Sequence, residues 1–213
     1  MNRYYDRRAA EYEQIYYREN VERRREIDDE ADRLRTLAGG KDLVDIACGT
    51  GYWTTRMSET AAQITAVDRS MAMLREARRK EYHCPISFVQ ADLNLLPFPD
   101  RAFSLTSLGF WFSHHPRQDY DRLFDTVDRL TAVGGRIWMV DNNPPAEGVL
   151  LQSTGQDEFG NNYKKRFLDD GTAFVILKNY FEKDELADIF SARFQIERLT
   201  YKQYYWAVVL AAK

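Results

Sequence analysis

The sequence predicts an α/β chain built on a doubly wound, mainly parallel sheet, and three observations carry that expectation. Short apolar, β-prone runs alternate with stretches of helical period between residues 43 and 141. Such alternation buries a parallel sheet between two layers of helices. The first run leads into Asp45-Ile46-Ala47-Cys48-Gly49-Thr50-Gly51. A strand that stops at a Gly-x-Gly turn presents bare backbone at its carboxyl end, where open α/β sheets bind ligands. The amides of that turn and of the helix behind it are expected to point outward and to suit an anionic ligand group. Finally, acids close three successive runs: Asp45, Asp68 and Asp92.

Taken in order, residues 3–37 are charged and helical in character. Tyr5, Ala9, Tyr12 and Tyr16 are spaced to share one helix face. That face either docks the helix on the domain or lines a pocket, because tyrosine joins an apolar ring to a polar tip. Glu22-Arg23-Arg24-Arg25-Glu26 mixes its signs and reads as a solvated face. Ala38-Gly39-Gly40 ends the helix. Strand one covers 43–46, and a helix starts near Trp53. Strand two covers 63–68, and Ser70 is placed to cap a helix running to about Glu81. Strand three is 86–90, followed by Ala91-Asp92-Leu93. Pro97, Pro99 and Asp100 turn the chain into strand four, 103–110. Ser113-His114-His115-Pro116 reads as a loop and 119–131 as a helix. Gly134-Gly135 turns into strand five, 136–141. The rhythm breaks over 142–181, an insertion at the ligand edge, with a hairpin between 165–167 and 173–178. A last helix covers 182–191, and the runs 194–200 and 204–212 should pair antiparallel.

A chain of 213 residues, 44% hydrophobic and 30% charged, suits a single domain over 1–213 with a full core. Its net charge of −3 argues against nucleic acid or an anionic membrane as a partner. Two cysteines, Cys48 and Cys84, without paired Cys/His spacing, argue against a disulfide framework or a structural metal. No apolar signal core opens the chain, and no run approaches the roughly 20 residues of a membrane span. A cytoplasmic monomer or homodimer is the expectation.

The glycine turn alone is weak evidence for a dinucleotide. Gly49 and Gly51 fit G-x-G-x-x-G, but the third glycine falls on Thr54. A phosphate loop ending in G-K-S/T is absent. Asp68 stands about where an acid accepts hydrogen bonds from ribose hydroxyls. Three acids around the cradle suit a ligand with hydroxyls, amines and positive charge, and suit a pyrophosphate poorly.

At these residues the chain resembles the class I S-adenosylmethionine-dependent methyltransferases, of the small-molecule methyltransferase-11/25 type. Residues 45–51 are similar to the first motif, with Ala47 in place of the commonest glycine. Val67-Asp68-Arg69-Ser70-Met71-Ala72-Met73-Leu74 resembles the second motif. Gln90-Ala91-Asp92-Leu93 with Leu96-Pro97-Phe98 resembles the third. Thr131-Ala132-Val133-Gly134-Gly135 is similar to the turn before strand five, with Val133 replacing proline. Tyr5-Asp6-x-x-Ala9-x-x-Tyr12 resembles the family's N-terminal lid element. Ser104 stands where the family often has aspartate, and residues 109–116 look like a subgroup carrying G-F-W-x-S-H-x-P.

The resemblance covers nearly the whole chain. It implies a Rossmann-like, seven-stranded, mainly parallel sheet with an antiparallel last strand, an N-terminal helical lid over 1–37 and a substrate-side insertion over 142–181. It implies S-adenosyl-L-methionine as cofactor, S-adenosyl-L-homocysteine as product and a small-molecule methyl acceptor. Amides of Ala47, Gly49 and Gly51, with Cys48 among them, and the Asp45 carboxylate would hold the methionine part. Asp68 would hold the ribose, and Arg69 and Met73 would flank the adenine. Asp92 would accept from the adenine amino group, and the Leu93 amide would donate to the ring. Phe110 would sit near the methionine part, and Tyr5 and Tyr12 would close over it.

A sulfonium already activates its methyl group, so the protein must mainly align a nucleophile and exclude water. A base is needed only if the nucleophile carries a proton. His114 is the candidate base, since it follows strand four and histidine titrates near neutrality; the competing reading is a pocket-edge or capping residue. Tyr16, His115, Asn142, Asn143, Tyr163 and Arg166 are candidate acceptor-binding residues. Asn142 and Asn143 compete with a turn-forming role before two prolines. Arg166 and Lys178 could recognise an acidic group, against an ordinary surface ion pair. Cys48 reads as a small buried residue, not a nucleophile, and His83 as exposed. An RNA or protein methyltransferase, a NAD-type Rossmann oxidoreductase and a non-catalytic protein keeping the cofactor fold are the alternatives.

Overall fold

The structure, a computed structural model, describes residues 2–9, 12, 20–144 and 153–212. Its strands are β1 (Asp42–Ile46), β2 (Gln63–Asp68), β3 (Ile86–Gln90), β4 (Phe103–Gly109), β5 (Thr131–Asn142), β6 (Ser153–Gln156), β7 (Asn162–Phe167), β8 (Ala173–Leu177), β9 (Gln195–Tyr201) and β10 (Tyr205–Ala211). Its helices are α1 (Asn2–Arg8), α2 (Val21–Ala38), α3 (Tyr52–Ser58), α4 (Met71–Ala77), α5 (Tyr120–Leu130) and α6 (Lys183–Ser191). Seven strands form the main sheet in the order β3-β2-β1-β4-β5-β10-β9. The first five are parallel, and β10 runs antiparallel to both β5 and β9. The chain leaves β1 towards β2 on one side and returns to β4 on the other. That reversal opens a crevice at the carboxyl ends of β1 and β4.

Alternation along each strand sorts side chains into two cores. Val44, Ile46, Leu108, Ile137, Met139, Trp206 and Val208 face Leu123, Phe124, Val127 and Leu130 of α5 and Leu186 and Phe190 of α6. Leu43, Leu105, Trp138, Val140, Ala207 and Val209 face Ile27, Ala31 and Leu34 of α2 and Met57 of α3. Each fully buried side chain of this kind contributes about 1.5–3 kcal/mol. The main sheet is therefore held from both faces, and its carboxyl edge is a rigid platform.

Several sequence expectations are corrected. The amino-terminal stretch is not one helix: α1 stops at Arg8, Ala9 lies in a turn, and α2 begins afresh behind Asn20, whose side chain accepts from the Arg23 amide (2.9 Å). The proposed single tyrosine face is thus broken, and Tyr16 lies outside the described residues. The run 22–26 is solvated at Glu22, Arg24 and Arg25, but Arg23 is half-buried and Glu26 turns inward. Glu26 is buried and accepts from the Gln203 and Tyr204 amides (3.0 and 2.9 Å), which the β9–β10 turn would otherwise leave without partners. One turn on, buried Glu30 accepts from Trp138 Nε1 (2.9 Å). Helix α4 stops four residues early because Tyr82 Oη caps the Ala77 carbonyl (2.8 Å) and the chain tightens into i→i+3 bonds. Strand β5 starts early: Thr131 already pairs with Phe103, and regular pairing resumes at Arg136 opposite Leu105. The loop after β4 contains a short 3-10 turn, Phe112–His114.

The insertion contains the expected hairpin, β7 with β8, plus the unanticipated β6, as a separate antiparallel sheet in the order β6-β7-β8. Buried Asn179 fastens this sheet to the main body. Its amide donates to the Ser113 carbonyl (2.8 Å), and its side chain donates to the His115 carbonyl (3.3 Å) and accepts from the Asn162 amide (2.9 Å). Helix α1 bridges the two layers. Tyr4 packs on Leu168 and Ile176 of the insertion, and Arg7 pairs with Asp170. From the same helix Asp6 accepts from Ser70, the cap of α4.

Candidate active site

The turn after β1 holds Ala47, Gly49 and Gly51 at φ of 55°, 58° and 81°. Left-handed backbone at three alternate residues folds the turn back on itself, and for alanine it carries strain. The amides expected to face a ligand are partly spent inside the protein. Gly51 N donates to the Cys48 carbonyl (2.9 Å) and Cys48 N to the Val67 carbonyl (2.9 Å). Gly49 N donates to Asp68 Oδ2 (2.8 Å). What glycine provides at 49 is space: a Cβ there would meet nothing within 4 Å, so the turn's surface lies open to the cleft.

The three strand-end acids divide by role. Asp45 turns inward, accepting from Thr54 Oγ1 (2.6 Å) and Ser107 Oγ (2.9 Å). Burial pushes its carboxyl up to about 6. Thr54, at the missing third glycine, is thus the hydroxyl partner of Asp45. Asp68 accepts from the amides of Gly49 and Ser70 (both 2.8 Å), and burial raises its carboxyl above the ordinary range. Asp92 accepts from the Asn94 amide (2.9 Å) and pairs with Arg69 (3.2 Å).

Two clefts meet over this edge. The first, about 190 Å³, is lined by Asp68, Arg69, Met73, Asp92 and Leu93 around Gly49. The second, about 420 Å³, lies under the insertion and is lined by Arg8, Arg23, Asn142, Lys164, Arg166 and Lys178, with His114, Asn143 and Tyr180. Tyr5, Tyr12 and Phe110 line both. The Tyr5 ring lies 6.1 Å from Tyr12 and stands edge-on to His114 at 5.8 Å. Phe110 adopts φ of 56° at the end of β4, and its ring lies 5.6 Å from Trp53. Trp53 can lie there only because residue 109 is glycine: a Cβ would sit 2.1 Å from its Cδ1.

Behind the second cleft lies a buried charged cluster. Lys178 donates to Asp141 Oδ1 (3.0 Å) and Ser113 Oγ (2.6 Å), while Ser113 N donates to Asp141 Oδ2 (2.9 Å). Both charged groups are buried, so the surface-ion-pair reading of Lys178 is overturned. Burial opposes ionisation of Asp141, but Lys178 and the Ser113 hydrogen bonds outweigh it and hold the carboxyl below its usual value. His114 Nδ1 lies 2.7 Å from the Leu177 carbonyl, so that nitrogen carries the hydrogen and Nε2 is left as the acceptor. Burial and then the Lys178 charge push its imidazolium down to about 3. The expectation that it titrates near neutrality is therefore corrected.

Other placements differ as well. His115 lines the first cleft, with Nε2 3.1 Å from the Asp119 carbonyl and its ring 4.8 Å from Trp111. Tyr163 reaches neither main cleft; its hydroxyl donates to Asp157 (3.0 Å) and its ring lines a side pocket with Lys164 and Lys178. Asn142 accepts from Arg23 (3.1 Å), and Asn143 donates to the Lys202 carbonyl. Cys48 is half-buried rather than buried, and its thiol is pushed well above its usual value, first by desolvation and then by Asp45, against a nucleophilic role. Sequence reasoning missed Asp141, Arg23, Arg8 and Lys164. Asp141 carried a signal, an acid at a fourth strand end. Arg23 was hidden in a charged run, and Arg8 and Lys164 are brought in only by tertiary contacts. Among the described residues no helix is long and apolar enough to cross a membrane, and no cluster suits a metal ion.

A family model described as a methyltransferase domain matches residues 43–135. A demethylmenaquinone methyltransferase of Thermus thermophilus is 33% identical over 132 residues, 60% of this chain and 57% of that protein. One of Bacillus licheniformis is 29% identical over 121 residues, 55% of this chain and 51% of that protein. The chain thus spans little more than half the length of these curated relatives. A solved complex described as DhpI-SAM-HEP superposes with a TM-score of 0.76 at 27% identity, covering 97% of this chain and 94% of that one. The PH0226 protein from Pyrococcus horikoshii OT3, at 19% identity and a TM-score of 0.73 over 95% of this chain and 99% of that one, shares the fold.

Proposed function

We propose that the chain is a class I S-adenosylmethionine-dependent methyltransferase, transferring a methyl group from S-adenosylmethionine to a nucleophile of a small molecule and releasing S-adenosylhomocysteine. The observation that carries this reading is the pair of clefts meeting at Tyr5, Tyr12 and Phe110. A donor and an acceptor bound on either side of that wall would face one another. The open surface at Gly49 and the acids at successive strand ends fit the donor.

Asp68 would take the ribose hydroxyls on the lone pairs that Gly49 and Ser70 leave. Met73 and Arg69 would flank the adenine beside Asp92 and Leu93. The turn 47–51 and Phe110 would hold the methionine part. When bound, the cofactor supplies a methyl group already activated on a sulfonium. The protein's share is alignment and exclusion of water. Tyr5 and Tyr12 roof both clefts, and burial keeps the Tyr5 phenol neutral, a donor and not a charge. His114 presents Nε2 as a hydrogen-bond acceptor that orients the nucleophile. Because its imidazolium is disfavoured, a nucleophile carrying no proton suits this site better than one that must lose one. A small molecule rather than RNA or protein is supported by a roofed acceptor cleft.

Calorimetry with S-adenosylhomocysteine tests the donor assignment. We expect saturable binding, weakened by roughly tenfold or more in Asp68→Ala, as loss of hydrogen bonds to a charged group dictates. No binding at millimolar concentration, with binding of NADH instead, would favour the oxidoreductase alternative.

A further inference from the structure

We propose that the acceptor is a small molecule bearing a multiply charged oxyanion, gripped by Arg8, Arg23, Lys164 and Arg166. Only the word acceptor rests on the methyl-transfer reading; the anion site itself stands on these side chains.

Five cationic side chains, with Lys178 the fifth, line the second cleft, and no Asp or Glu is among its described lining residues. Of the carboxylates behind it, Asp141 is taken by Lys178, and Glu26 by the amides of Gln203 and Tyr204. Among the described residues, none of the other four forms an ion pair with a carboxylate. The partners of Arg8, Arg23 and Lys164 are neutral. Arg8 donates to the Tyr4 hydroxyl and lies over the Tyr12 ring (5.5 Å). Arg23 donates to Tyr205 Oη and Asn142 Oδ1. Lys164 lies over the Tyr180 ring (5.9 Å). The chain as a whole carries −3, so this concentration runs against its overall sign.

Like charges gathered in a partly desolvated cleft oppose folding unless something offsets them. Lys164 registers the strain: burial, then Arg166 and Lys178, pull its ammonium below the ordinary value. The single carboxylate of the methyl donor would neutralise one cation and leave the rest. Neutral His114 adds no further charge. Three planar guanidinium forks with the Lys164 ammonium match a phosphate-, phosphonate- or sulfate-like oxyanion, or paired carboxylates. A neutral or cationic acceptor would leave the repulsion in place.

Calorimetry with inorganic phosphate, sulfate and succinate, each with and without S-adenosylhomocysteine, tests this, with choline and glycerol as controls. We expect saturable anion binding that weakens steeply with salt. Arg166→Gln and Arg23→Gln should each weaken it roughly tenfold or more and leave the Kd for S-adenosylhomocysteine unchanged. Tetrahedral anions binding more tightly than succinate would assign the oxyanion, and the reverse order would assign paired carboxylates; either supports the site. Absence of saturable anion binding, indifference to both substitutions, or equal binding of choline overturns it. Failure of S-adenosylhomocysteine alone to bind would remove the methyl donor and leave the anion result to be read by itself.

Discussion

Lys178 lies where the insertion meets the main sheet, and its ammonium joins Asp141 to Ser113. Removing one member of a buried pair leaves the other charged and desolvated, which costs about 3–5 kcal/mol. Lys178→Met should show that loss in urea unfolding. It should also raise the titration of His114 towards neutrality in an NMR pH series, since the variant loses a repelling cation and frees an attracting carboxylate. An unmoved His114 would show that burial alone sets it. The sign of the pH dependence follows from the same group. Folded His114 titrates at about 3 against 6.5 for an ordinary imidazole. Between those values the unfolded chain binds the extra proton, so the stability present above about 6.5 declines as pH falls to about 3. His114→Gln should flatten that acid limb in urea titrations; an unchanged limb would assign it to another group.

At the level of elements, the end of β4 depends on a missing side chain. Trp53 of α3 lies where a Gly109 Cβ would be, and its ring meets Trp138 of β5 at 5.0 Å and Phe110 at 5.6 Å. Gly109→Ala must push this aromatic column aside, a cost of about 1–3 kcal/mol. It should lower the melting temperature and weaken S-adenosylhomocysteine binding together, because Phe110 lines both clefts. Full stability in the variant would mean that Trp53 has another place to go. Helix α2 is tied in differently. Asn20 satisfies its first turn and also donates to Tyr204 Oη (2.9 Å), so Asn20→Ala should cost about 1 kcal/mol in chemical denaturation.

Over the whole molecule, α1 is the strap between two separately built sheets. Tyr4 and Arg7 hold it to the insertion, Asp6 holds it to the cap of α4, and Tyr5 is thereby set between the clefts. A ligand in the first cleft should stabilise this strap more than any element remote from it. Hydrogen exchange should slow over Asn2–Arg8 on adding S-adenosylhomocysteine and change little over α6. Equal protection of both, or none in α1, would refute its role as a roof.

Periodicity alone carried the succession of strands and helices over 43–141, the closing antiparallel pair and the capped helix after Ser70, because these follow from local backbone preference and one-sided burial. The glycine turn and the strand-end acids located the ligand edge for the same local reason. Tertiary structure decided the rest. Whether Glu26 is solvated or buried depends on a turn nearly 180 residues away needing an acceptor. Whether His114 is charged depends on Lys178, brought beside it from the insertion. The cationic cleft draws Arg8 and Arg23 from the amino terminus and Lys164, Arg166 and Lys178 from the insertion. Electrostatics acts through distance and desolvation, and neither is encoded by neighbours in the chain.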